Sequence, residues 1–240
     1  MSSFKNQVAV VTGASSGIGR AIALGLATKD ASLCLVGRNV AALKEVAEEA
    51  AANGSRVKSY RIDLSRDNDI QELKLSIEKD FRHINLLVHS AGAFSMGLIE
   101  SSPVADFDLQ YRVNLRAPYL LTQLLLPMMN AQDGQIVFIN SSVGLKSKAL
   151  VSQYAATKHA LRALADSLRE EVNAKGIRVL SIYPGRTATP MQETVHKMEG
   201  KAYGPDHFMQ PEDLAEVVIS SLLLPRSAEV TDVSIRPMKK

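Results

Sequence analysis

Tyr154 and Lys158 stand four residues apart in "SQYAATKHALRAL", a stretch of helical period, so both side chains fall on one helical face. A free phenol has a pKa of about 10, too high to exchange protons readily near neutrality. A neighbouring ammonium stabilises phenolate and draws that value down, which suits a general acid for a carbonyl oxygen. Ser141 ends the apolar run "IVFIN" a short way upstream, where its hydroxyl is placed to hold the same oxygen. Read alone, a serine at a strand end is equally a turn residue. The spacing of tyrosine and lysine also arises by chance. Its place beyond a strand adds weight, because ligands of doubly wound sheets bind outside the carboxyl ends of the strands.

A second stretch, "VVTGASSGIGR", carries two readings. Gly13-x-Ser15-x-Gly17 fits the elbow that presents a serine nucleophile between a strand and a helix. Gly13, Gly17 and Gly19 fit a turn that lets a pyrophosphate approach a helix N-terminus. The elbow needs an oxyanion donor from an earlier strand-to-helix loop, and here the motif lies on the first strand with nothing upstream. The nucleotide reading therefore stands, and no G-K-[ST] follows to make it a mononucleotide P-loop. After the next apolar run comes Gly37-Arg38-Asn39, with no carboxylate to bind a bare adenosine ribose. A guanidinium pairs with a 2′-phosphate in a bidentate manner, so NADP(H) is the expected cofactor. The competing reading of Arg38 is a surface arginine with no ligand.

Positioning these groups takes alternating elements. Apolar runs of strand length ("VAVVTG", "SLCLVG", "RVKSYRID", "NLLVHSAG", "GQIVFINSS", "GIRVLSIYPG", "VTDVSIRP") are separated by stretches of helical period. The helices are expected at about 17–29, 40–53 with Gly54 as its stop, 65–81, 103–130, 152–174, and after Pro211-Glu212-Asp213, where proline and carboxylates suit a first turn. Strands apolar on both faces, each followed by a helix, predict a parallel sheet covered on both sides. The fold class expected is α/β: a single doubly wound Rossmann domain over 1–240, with about seven parallel strands and helices on both faces. No repeat or Ser/Gly linker divides the chain.

Composition narrows the function further. Of 240 residues, 46% are hydrophobic and 22% charged, which is ordinary for a globular chain. The net charge of +3 is small and the basic residues are scattered, which speaks against a nucleic-acid surface. Lys239-Lys240 reads as a solvated tail. The lone Cys34 makes no internal disulfide, and the five histidines show no metal-binding spacing, so no metal is expected. Residues 1–7 are polar and carry no secretory signal; "LLTQLLLPMM" is broken by Gln123 and Pro127 and is too short to span a bilayer. No membrane partner and a cytoplasmic location follow as expectations.

On these motifs the chain resembles the short-chain dehydrogenase/reductase family over essentially its full length. Thr12-Gly13-Ala14-Ser15-Ser16-Gly17-Ile18-Gly19 is similar to the family's T-G-x-x-x-G-x-G, and Asp63-Leu64 to the acid and neighbour it uses near the adenine ring. His89-Ser90-Ala91-Gly92 stands where N-N-A-G is usual. Asn114, Ser141, Tyr154 and Lys158 match the catalytic four, and Pro184-Gly185 with Thr189 matches P-G-x-x-x-T, which contacts the nicotinamide carboxamide and phosphates. The resemblance implies carbonyl–alcohol interconversion by hydride transfer on a small-molecule substrate. Tyr154 would exchange the proton and Ser141, with Ser142 as its neighbour and rival, would orient the oxygen. Lys158 would lower the tyrosine pKa and hold the nicotinamide ribose; Asn114 would fix a water. Arg38, aided by Ser15, agrees with the family's NADP-preferring type.

The departure at His89 and Ser90 implies that the side-chain bonds usually bracing the central strands are made differently or lost. Residues 190–210 fall where the family carries a mobile lid; Met191, Met198, Tyr203, Phe208 and Met209 would enclose an apolar substrate, or the stretch is merely a loop with some packed side chains. Val143 to Gln153 and Phe94 to Leu98 would line the pocket, while Lys146 and Lys148 either favour an anionic group or are solvated. The helices at 103–130 and 152–174 imply a homodimer or homotetramer. The rival function is a catalytically silent protein that senses NADP(H) on the same fold, a role with no need of a proton relay.

Overall fold

Side-chain alternation along the strands decides which layer each residue joins. In the computed structural model, which describes residues 3–238, seven strands are found: β1 (Val8–Thr12), β2 (Ser32–Gly37), β3 (Val57–Arg61), β4 (Leu86–His89), β5 (Gln135–Ile139), β6 (Arg178–Pro184) and β7 (Asp232–Ile235). All pair in parallel in the order β3-β2-β1-β4-β5-β6-β7. Val10 lies opposite Cys34 on one side and Leu87 on the other. Ala9, Val11, Leu33, Leu35, Val137 and Leu180 point to one face, and Val10, Cys34, Val36, Phe138 and Val179 to the other.

The first face is covered by α1 (Gly17–Ala27), α2 (Val40–Ala52) and α8 (Pro211–Leu222), through Ile22, Leu26, Leu43, Val46, Leu214 and Val218. The second is covered by α3 (Asp67–Asp80), α5 (Ala117–Leu125) and α6 (Ser152–Val172), through Ile70, Leu73, Leu121, Leu161 and Leu168. Cys34 is buried, as a single strand thiol should be. Asn39 caps α2 by accepting from the Ala42 amide at 3.1 Å, and Gly54 follows that helix with φ +86. Pro211 opens α8 behind a capping box between Gln210 and Asp213.

Two expected elements differ. The region 103–130 is no single helix: α4 (Val104–Tyr111) passes through a π-helical segment, Arg112–Arg116, into α5, and a 3₁₀ turn at Leu126–Met128 ends the run at Pro127. The stretch 190–210 holds a nine-residue helix, α7 (Pro190–Met198), started by Pro190 and by Thr189, whose hydroxyl accepts from the Gln192 amide. Lys239-Lys240 lies outside the described residues. Among the described residues no helix is long and apolar enough to cross a membrane, and no cluster of His, Cys, Asp or Glu could hold a metal ion.

Candidate active site

The sheet order reverses between β1 and β4, and the chain diverges there to opposite faces. The β1–α1 turn sits at that point. Gly13 has φ +68, and a Cβ there would approach the Ala91 backbone to 2.9 Å; a Cβ on Gly19 would strike the Gly13 carbonyl. Ser16, in extended backbone, makes no side-chain cap, and the first turn of α1 carries no acid. The positive end of this helix, with its free amides, therefore opens on a cavity.

That cavity holds about 930 Å³ and runs along the carboxyl ends of the strands. Gly13, Ser15, Ser16, Gly17, Ile18 and Gly19 line it at the turn, and Arg38 lines it beyond β2. A Cβ on Gly37 would meet Ser15 Oγ at 3.3 Å, so Ser15 and the start of Arg38 lie side by side. Asp63 and Leu64 follow after β3. The Ser65 amide and hydroxyl donate to the Asp63 carboxylate at 3.0 and 2.8 Å; these bonds, with the charges of Arg38 and Arg66, hold it below the ordinary carboxylate range.

Ser90, Ala91 and Gly92 form the middle wall. Thr12 Oγ1 accepts from the Ser90 and Ala91 amides at 3.0 and 3.2 Å and donates to the Val88 carbonyl at 3.3 Å. His89 is buried, stacks on Phe138 at 4.9 Å and shares a 2.8 Å hydrogen bond between Nε2 and Thr122 Oγ1. Burial pushes its pKa down to about 3, so the imidazole is neutral. The central strands are thus braced by Thr12, by the His89–Thr122 pair, and by Asn85, whose Oδ1 accepts from the Val8 amide at 2.9 Å.

Ser141 and Ser142 both line the cavity past β5. Ser141 Oγ accepts from the Val143 amide at 3.3 Å and lies close enough to the Tyr154 phenol to oppose the rise of its pKa. Asn140, which drew no notice in the sequence, joins this strand end to α6: its Nδ2 donates to the Lys158 carbonyl at 3.0 Å. From α6, Tyr154 and Lys158 enter the same space, 9% and 3% exposed. The Lys158 ammonium donates to the Ile139 carbonyl at 2.9 Å and lies 5.7 Å from the Tyr154 ring centre.

The expected depression of the phenol is not found. Burial pushes Tyr154 up to about 12, with Ser141 opposing, and pulls Lys158 down to about 8. Desolvation is the largest cause of both shifts, and the Lys158 ammonium meanwhile keeps its bond to the Ile139 carbonyl. Asn114 differs too. It does not line the cavity; its Oδ1 accepts from the Ala93 amide at 2.8 Å, and its Nδ2 donates to the Ala93 carbonyl and to Thr157 Oγ1 at 2.9 and 3.1 Å. Its side chain is tied to protein at both ends.

Pro184, Gly185 and Thr189 complete the lining, with Thr189 Cγ2 about where a Gly17 Cβ would touch it. The lid is only partly as expected. Met191 and Met198 line the cavity, but Met209 is buried in the core, and Tyr203 and Phe208 pack on the buried His196 at 5.5 and 5.1 Å. The Arg186–His196–Glu199 network was not legible from the sequence. The one available signal was the four-residue spacing of Gln192 and His196.

Comparison with known proteins agrees with this geometry. The family model for short chain dehydrogenase matches residues 7–200. The chain is 34% identical over 239 residues to an uncharacterized oxidoreductase of Staphylococcus epidermidis, covering 99% of this chain and 100% of that protein. An alcohol dehydrogenase from the archaeon Thermococcus sibiricus, complexed with 5-hydroxy-NADP, superposes with TM-score 0.87 at 27% identity over 96% of both chains. A metagenomic short-chain oxidoreductase in complex with NADP gives 0.84 at 31% identity over 99% of both. The chain belongs to the short-chain dehydrogenase family of oxidoreductases.

Proposed function

We propose that this protein is an NADP(H)-dependent oxidoreductase that interconverts a carbonyl and an alcohol, with Tyr154 as the group that exchanges the proton. The observation carrying the proposal is that Ser141, Tyr154 and Lys158 open onto the same cavity as the uncapped, unneutralised N-terminus of α1. The residues present fit the cofactor. The glycine turn gives a pyrophosphate close access to free amides, and Arg38 beside Ser15 suits a 2′-phosphate. Asp63 and Leu64 would flank the adenine end, with Ser90, Ala91 and Gly92 along the middle. Pro184, Gly185 and Thr189 would meet the carboxamide end, and Lys158 the adjoining ribose. NADP in the metagenomic relative supports the choice.

When bound, the cofactor would supply hydride to the carbonyl carbon or take it from the alcohol carbon. Tyr154 is a neutral phenol at pH 7 and so has the proton that a carbonyl oxygen takes up when the substrate is reduced. Ser141 donates a hydrogen bond to that oxygen and keeps it in line with the phenol. Lys158, charged below about pH 8, offsets the phenolate left behind. Asn114 acts at one remove by holding the Ala93 loop against α6. Exposed Phe107, Tyr111 and Tyr119 on α4 and α5 support assembly as a homodimer or homotetramer.

Loss of NADPH absorbance across a panel of ketones, aldehydes, quinones and β-ketoacyl thioesters tests the reading. Turnover is expected with NADPH, and Tyr154→Phe should lower it by about 10²–10⁴-fold. Tight NADPH binding without turnover would overturn the proposal and favour a sensor of cofactor state.

A further inference from the structure

The lid helix α7 carries two stripes. Met191, Val195 and Met198 recur at i, i+4 and i+7 and face the cavity. Gln192, His196 and Glu199 follow one residue later; Gln192 and Glu199 also border the cavity, with Arg186 and Lys201, but this stripe is anchored. His196 is buried; its Nδ1 shares a 2.9 Å bond with the Gln192 carbonyl, and its Nε2 accepts from Arg186 Nη1 at 3.1 Å. Arg186 Nη2 donates to Glu199 at 2.6 Å, and Lys201 donates to the same carboxylate at 3.0 Å. Arg186, Glu199 and Lys201 therefore satisfy one another, and with the buried His196 they fix the rotation of α7 that turns its methionine stripe inward.

Facing that roof, Phe94 meets the Tyr154 ring edge-on at 5.0 Å, packed with Val143 and Val151. Ser141, Ser142 and Lys158 line the same end of the cavity as the phenol, where the reacting oxygen must sit. Lys148 stands exposed at the rim, and Lys201 is 63% exposed, so both charges are solvated and screened. Met198 is 49% exposed and has apolar surface left to cover.

We propose that the substrate is an uncharged carbonyl compound with a bulky apolar body, gripped between the Met191–Val195–Met198 roof and the Phe94–Val143–Val151 wall. This rests on the oxidoreductase reading above. Methionine, flexible and polarizable, adapts to bodies of varied shape, so size and apolarity rather than one outline are selected. Each added methylene covered by the roof should raise kcat/KM about fourfold, the equivalent of about 0.8 kcal/mol of buried CH₂.

The test uses a series of aryl alkyl ketones of increasing chain length and a matched series ending in a carboxylate. It reads kcat/KM with NADPH in the wild type, and Kd by calorimetry in Tyr154→Phe loaded with NADPH. The expected result is a rise with chain length and at least about a tenfold penalty for the carboxylate. Met198→Ala should lower kcat/KM for the longest ketone more than for the shortest. A flat dependence on length, or preference for the carboxylated series, overturns the substrate class while turnover leaves the oxidoreductase reading standing. Binding that follows the expected trend without turnover leaves the substrate class standing and removes the other.

Discussion

At the scale of single residues, the proposed chemistry rests on how burial divides two pKa values. Tyr154 is pushed up to about 12 and Lys158 down to about 8 by the same loss of solvent. The phenol keeps its proton throughout the neutral range, whereas the lysine loses its charge as pH rises through about 8. We therefore expect kcat/KM for carbonyl reduction to fall above about pH 8; a profile flat to pH 10 would show that Lys158 is not the group involved. His89 gives a second titration, on stability. Its folded pKa of about 3 lies below the ordinary value of 6.5, so the unfolded chain binds the extra proton first as pH falls. Its contribution is complete above about 6.5 and declines toward 3. Unfolding in urea from pH 7 to pH 4 should show a shallower loss of stability in His89→Asn than in the wild type. Equal slopes would place the proton elsewhere.

At the scale of elements, Asn114 is a splice between parts distant in sequence. The π-helical segment Arg112–Arg116 turns it toward the Ala93 backbone on one side and Thr157 of α6 on the other. Asn114→Ala leaves these groups without their partner, and we expect a loss of about 1–3 kcal/mol in urea unfolding with an unchanged m-value. The strands and most helices were legible because apolar runs and their caps are local: Asn39, Gly54 and Pro211 mark ends that the structure keeps. The break in 103–130 was less so. Pro127 marked its end, but a π segment follows from tertiary bonds to Asn114 and has no local signature. The lid reads as irregular for the same reason. Its helix depends on Thr189 as cap and on His196 being buried by Tyr203, Phe208 and Arg186, none of them placed by periodicity. Site residues on strand ends and turns were legible, since glycine spacing and the tyrosine–lysine pair sit where a doubly wound sheet opens. The raised pKa of Tyr154 was not, because burial is a property of the folded chain.

At the scale of the whole molecule, one cavity joins most of the carboxyl edge of the sheet, from Arg38 beyond β2 to the lid after β6. A ligand that fills it touches the loops of both halves and binds the folded chain alone, so it must stabilise the fold as a unit. Saturation at 100-fold over Kd contributes about 2.7 kcal/mol. For a chain of this length that raises Tm by roughly 5–10 °C. Discrimination between cofactors should come from the Arg38 end, because the remaining lining is common to NAD and NADP. A 2′-phosphate placed beside Arg38 gains a bidentate, charge-assisted pair, whereas a bare ribose gains little from a guanidinium. NADPH should therefore raise Tm more than NADH at equal concentration. Arg38→Asp should reverse the order, since the new carboxylate repels the phosphate and accepts from ribose hydroxyls. Arg38 is exposed at a strand end and Asn39 alone caps α2, so the substitution leaves the fold intact and the reversal reads specificity rather than damage. Equal shifts for the two cofactors in the wild type would mean that Arg38 is an ordinary surface residue, and that the NADP assignment fails even where the hydride chemistry holds.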